Sequence, residues 1–156
     1  MTCRVRRGQI FVSSTTREPF EIEVFNFAGD LIRKIRRVAG RERVTAAYKE
    51  RTLKRWKGSR AWKEWDLEKK HYFPEYYPPF RQFWVDDAGR IFVETYAQGE
   101  GPSEVLLDIF SPQGVFVGVK SLREARDRRF YGNRMYAVYR KDSGYDVLVS
   151  YKMSWQ

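Results

Sequence analysis

The sequence predicts an all-β fold, built from small antiparallel sheets repeated along the chain and interrupted by one helical insertion. Three observations predict it. Short runs of β-branched and aromatic residues separated by Gly-containing turns fill most of the 156 residues. A glycine followed by an aliphatic–aromatic pair recurs at 8–11, 89–92 and 132–136. Between the first and second copies, a basic segment loses the period-two alternation of a half-buried strand. A hydrophobic fraction of 42%, with aromatics at 17%, is enough for one folded core.

Taken in order, residues 8–37 read as three strands. Gln9–Ser13 is apolar and rich in β-formers, and Phe20–Phe25 alternates apolar and acidic residues, which puts Glu21 and Glu23 together on a solvent face. Asn26–Asp30 is a turn and Leu31–Ile35 follows it. In the segment 38–79, Thr45 caps a helix over about 46–57 with Ala46, Leu53 and Trp56 on one face. Gly58-Ser59 ends it, and a second helix runs over about 60–70 with Ala61, Trp62 and Trp65 together. Residues 73–79, with three prolines, are extended. Strands resume at 80–85 and 90–96 around the hairpin turn Asp86-Asp87-Ala88-Gly89, then at 105–110 and 115–119 around Ser111–Gly114. Arg123–Arg129 reads as a charged connector before two last strands, 134–140 and 145–152.

The recurring glycine motif has a period. Phe92 to Tyr136 is 44 residues, and Phe11 to Phe92 is 81, one such unit plus the insert. Each copy is followed by an alternating strand that ends in an aromatic, Phe25, Phe110 or Tyr151. A period of about 40–45 residues with up to four short strands is the pattern of a propeller blade. One such sheet cannot bury both faces alone, so the copies must stack. The expected fold is therefore antiparallel β-propeller-like blades, a partial propeller, with residues 38–79 as a basic helical insert and Pro-rich connector inside a single 1–156 domain.

Residues 79–93 (PFRQFWVDDAGRIFV) and 109–114 (IFSPQG) resemble one blade of the NHL-type six-bladed β-propeller family. In such blades a proline opens the inner strand, Val-Asp precedes a Gly turn, and Phe-x-x-x-Gly follows on the third strand. The insert running into Pro78-Pro79 resembles the C-terminal part of the bacterial six-bladed members. The resemblance is most specific over 78–119. It implies about two and a half blades, the first unit lacking an inner strand and the last an outer one, so that this chain alone cannot close a ring. The family is commonly exported, although no signal peptide is visible behind the basic N-terminal residues.

The net charge is +10, and residues 31–70 carry all of it, with fifteen Lys/Arg against five acids. Such a segment is either a solvated helical face or the footprint of a polyanion. The residues that would hold a polyanion are Lys49, Arg51, Lys54, Arg55 and Lys57, interleaved with Trp56, Trp62 and Trp65, which either stack bases or hold the insert together. Catalytic chemistry has little to work with. His71 is the only histidine and Cys3 the only cysteine, and Asp86-Asp87 reads as a turn cap before a paired carboxylate. No nucleophile, base and orienter are assembled, and no cofactor, metal site or membrane span is expected. The expected function is that of a non-catalytic binding and assembly module with a protein partner or self-association. The competing expectation is a nucleic-acid-binding protein acting through residues 31–70.

Overall fold

The computed structural model describes residues 2–13, 20–37, 40, 42–57, 59–64, 72–99, 101 and 103–155. It divides the chain into two compact units, residues 1–39 with 78–156, and residues 40–77.

The larger unit is all-β and antiparallel, in three sheets, none of which closes on itself. The first has the order β1 (Thr2–Arg6), β2 (Gln9–Ser13), β3 (Phe20–Asn26), β4 (Leu31–Arg37). The second has β5 (Gln82–Val85), β6 (Ile91–Gln98), β7 (Glu104–Phe110), β8 (Phe116–Arg123), and the third has β9 (Asp127–Tyr131), β10 (Arg134–Arg140), β11 (Asp146–Lys152). Each sheet is a plain meander, as tight turns between successive strands dictate. The recurring glycines sit in those turns with left-handed backbone, for example Gly89 at φ +87° and Gly132 at φ +57°, where a side chain would be strained.

Two strands differ from the sequence reading. The first sheet has four strands, because β1 pairs with β2 from Thr2↔Ser13 to Arg6↔Gln9, so the first unit does not lack the strand that the sequence reading left out. The last residues read as a charged connector begin β9, which pairs with β10 from Arg134↔Tyr131 to Val138↔Asp127. Both are edge strands rich in arginine, whose charge hides the alternation that marks a strand.

Alternation on β5 and β6 explains the stacking. Phe83, Val85, Ile91 and Val93 project from one face of the second sheet and close a core with Phe11, Ile22, Val24 and Ile35 of the first sheet. Trp84 and Phe92 project from the other face and, with Leu107, meet Phe130, Met135, Ala137 and Tyr139 of the third. The second sheet is thus covered on both faces. Phe80, fully buried ahead of β5, lies 5.0 Å from the Phe20 ring and 6.2 Å from that of Phe83. Hydrogen bonds between neighbouring sheets recur at the sequence repeat. Arg4, Arg6 and Arg7 reach acceptors 79, 79 and 81 residues on, while Asp87 and Arg90 reach partners 45 and 43 residues on.

The smaller unit holds α1 (Ala46–Lys57) and α2 (Arg60–Glu64). Thr45 caps α1 as expected, its Oγ1 accepting from Tyr48 N at 3.2 Å. The buried residue of α1 is Thr52, flanked by half-buried Tyr48, Lys49 and Leu53, whereas Ala46 is exposed, so the inward face is rotated from the predicted one. Tyr48 sets that rotation by packing edge-on against Tyr77, with ring centroids 5.1 Å apart. Val44 N donates to Glu75 O and Tyr77 N to Glu42 O, tying the two ends of the unit together. The rest of the second predicted helix, residues 65–70 with Trp65, and His71 after it, lie outside the described residues.

Candidate functional site

The inner edge strands of the three sheets, β1, β5 and β9, line a cleft of about 280 Å³. Arg4 and Arg6, two apart on β1, both lean toward the second sheet, where Arg4 Nε donates to Phe83 O at 3.2 Å and Arg6 Nε to Val85 O at 3.3 Å. These two carbonyls lie on the same side of β5, which pairs with β6 along its other edge. Arg7 continues the ladder, donating to Ala88 O. The arginines therefore satisfy backbone that a bare strand edge would leave open to another chain. From β9 comes Arg129, whose Nη1 donates at 3.0 Å to Asp127 Oδ1 and to Arg128 O. From β5 comes the Trp84 ring, and the exposed thiol of Cys3 stands at the rim. No acid is among the lining residues.

Each sheet–sheet core also contains one buried charge pair. Asp108, on the face of β7 toward the first sheet, pairs with Arg37 of β4. Burial lowers the pKa of Arg37, whose guanidinium also stands 4.3 Å over the Phe116 ring. Glu94, on the opposite face, pairs with Arg128 of β9, which also donates to Arg123 O at 2.6 Å. Arg128 is only 1% exposed, and Arg81 Nη1 stands 3.6 Å from the second oxygen of Glu94. In so dry a place these groups act as fasteners whose partners are already taken, not as free acid–base groups. Asp86 is likewise engaged. Its carboxylate accepts from Arg90 N at 2.8 Å and Arg90 Nε at 2.6 Å, and Asp87 accepts from Gly132 N. Both carboxylates of the sequence pair therefore hold turns.

Tyr139, at the third sheet's inner face, has its phenol pushed up to about 12, first by burial and then by the hydrogen bond with Tyr151. An unfolded tyrosine titrates near 10, so between roughly 10 and 12 the folded protein keeps a proton that the unfolded chain gives up. Stability is therefore intact below that window and falls as pH rises through it, by at most about 1.4 kcal/mol per pH unit. Urea midpoints measured across the window should fall more steeply for the wild type than for Tyr139→Phe. Parallel curves would refute the assignment.

The cations predicted to hold a polyanion are on α1. Arg51, Lys54, Arg55 and Lys57 are exposed, Lys49 is half-buried, and among the described residues none of them forms an ion pair. Two of the tryptophans are engaged within the fold. Trp62 is buried, and Trp56 stacks on Phe73 with ring centroids 6.3 Å apart and planes within 9°. The α1 surface so offers charge to a polyanion, with Trp56, 37% exposed although stacked on Phe73, as the tryptophan on that helix. Sequence reasoning missed the inner-edge cleft, since β1 and β9 were not legible as strands. The alternation of Arg4 and Arg6 with Cys3 and Val5 was the one signal available. Among the described residues, no helix is long and apolar enough to cross a membrane. Comparison with protein-family models, curated proteins and solved structures returns no match.

Proposed function

We propose that this chain is a non-catalytic binding and assembly module, a stack of three propeller-like blades that resembles part of a six-bladed propeller and associates through the outer faces of its end sheets. One observation carries the reading: the middle sheet is covered on both faces, while each end sheet turns apolar residues outward. On the first sheet the cross-strand row Val5, Ile10, Phe25 and Leu31 runs over all four strands, with Ile32 and Phe27 beside it. On the third, Val138 and Leu148 are paired, with Tyr136 two residues along on the same face, and Leu148 is 67% exposed. Exposed apolar rows of this kind, flanked on the first sheet by Glu21, Glu23, Lys34 and Arg36, mark sites of association. Repeated sheets already solve the same burial problem by stacking within the chain.

A nucleic-acid role for residues 31–70 is the weaker reading. Stacking platforms are what let basic segments hold single strands, and Trp62 is buried while Trp56 has one neighbour on its ring among the described residues, Phe73, and keeps part of its surface exposed. Light scattering on the purified full chain at micromolar concentration tests the proposal. The expected mass exceeds the 18.7 kDa of one chain, and Leu148→Asp lowers it toward that value. A wild type that stays monomeric throughout would overturn self-association.

A further inference from the structure

The inner-edge cleft offers hydrogen-bond donors that nothing in the fold uses. Arg6 commits only Nε, to Val85 O, and leaves both terminal nitrogens open. Arg129 commits only Nη1. Trp84 is 3% exposed, yet its indole Nε1–H has no hydrogen-bond partner. A buried donor left unsatisfied is costly, and native folds hold few of them. Here the ring that carries it lines a cavity whose other polar side chains are arginines and one thiol.

We propose that this cleft binds a small, multiply charged anion, a phosphate ester or a di- or tricarboxylate, between Arg6, Arg129 and the Trp84 N–H. The chemistry is one-sided. Every free side-chain group named is a donor, so the fitting ligand is one made of acceptor oxygens. Two guanidinium forks on opposite walls suit an anion with charge at two ends, because each fork takes a carboxylate or phosphate face. Arg4, already fixed on Phe83 O and Cys3 O, adds positive potential without having to move. At about 280 Å³ the space holds a compact metabolite-sized anion; a folded protein surface would not enter it. Arg6 and Arg129 are themselves exposed, so the attraction is screened by salt and strongest at low ionic strength; what sets the cleft apart from α1 is the convergence of three arginines on one concave space without an acid in its lining.

Val5 and Arg129 border the end faces as well, since Arg129 pairs across the strand with Tyr136, so binding is measured on Leu148→Asp as well as on the wild type, which keeps a failure of the site distinguishable from a failure of assembly. Citrate and inorganic pyrophosphate, titrated into the full chain by calorimetry at low salt, separate the carboxylate and phosphate versions. Cys3 supplies an independent readout, because it is the only cysteine and sits at the cleft rim. A dianionic aromatic disulfide should modify Cys3 about tenfold faster than it does in Arg6→Gln/Arg129→Gln, whereas a neutral disulfide should react at similar rates with both. The anion that binds should protect the thiol. Arg51→Gln/Lys54→Gln removes the same formal charge from α1 and should leave binding and modification unchanged. Trp84→Phe keeps all charges and should weaken the anion several-fold through loss of one donor. Equal anion binding by the two double variants, or no protection of Cys3 by either anion, would overturn the proposal.

Discussion

Replacing Arg128 with Met should destabilise the fold by about 3–5 kcal/mol, the usual effect of removing one partner from a buried ion pair. Arg128 is the largest fully buried side chain of the described residues, and it lies between the second and third sheets against Glu94. Without it the Glu94 carboxylate stays dry, with only Arg81 at 3.6 Å to answer its charge, and Arg123 O loses its donor as well. The urea midpoint should fall with little change in slope, since the area exposed on unfolding is nearly the same. The double variant Arg128→Met/Glu94→Leu should recover most of the loss, because an apolar pair of similar volume carries no desolvation cost. Arg81→Gln should cost much less, since that arginine is partly solvated and its ion pair with Glu124 is largely exposed. If Arg128→Met unfolds at the wild-type midpoint, Glu94 is not stranded by the change, and the pair is not what fastens these sheets.

Phe92→Ala should cost a similar 3–5 kcal/mol, by the transfer and cavity terms of a large-to-small core change. The Phe92 ring lies flat on Phe130, with centroids 4.0 Å apart and planes within 7°, and its centroid is 6.0 Å from that of the tilted Trp155 ring. Both contacts are lost together. Phe92→Leu, which keeps most of the volume, should cost less than half as much. The distribution of the loss is the sharper test. Hydrogen exchange should accelerate most in β9–β11, while β2 and β3, held by the separate core around Phe11 and Val24, keep their protection. Uniform acceleration across all three sheets would show that the two cores unfold as one.

Both predictions depend on a division of labour that the sequence shows only in part. The run 20–25 is legible because apolar and acidic residues alternate there, and 9–13, 90–96, 105–110 and 134–140 because β-branched and aromatic residues crowd between turn signals. Glycines 29, 89 and 114 are legible because a tight turn needs left-handed backbone. The Thr45 cap is legible because its chemistry is local. By contrast β1 and β9 are edges. Their arginines answer to carbonyls and carboxylates some 34 to 79 residues away, so no window along the chain reveals them. The same distance explains the α1 face. Thr52, not Ala46, turns inward because Tyr48 packs against Tyr77, far along the chain. The basic excess of 31–70 was plain in composition, but composition does not say which arginines are buried. Arg37, one of those fifteen cations, is tied to Asp108 and Phe116 between two sheets, while Arg51 and Lys54 stand in water.

From its sequence alone, then, this chain has antiparallel sheets that repeat and a helical, basic interruption between the first and second, because alternation, turn glycines and charge runs are local properties. Which carboxylate meets which arginine, which faces are dry, and that three inner strands leave a donor-lined cleft were decided only by the tertiary structure. The reason is physical: desolvation and ion pairing depend on what lies across the gap between sheets, and neighbours there are separated by a whole repeat of the chain.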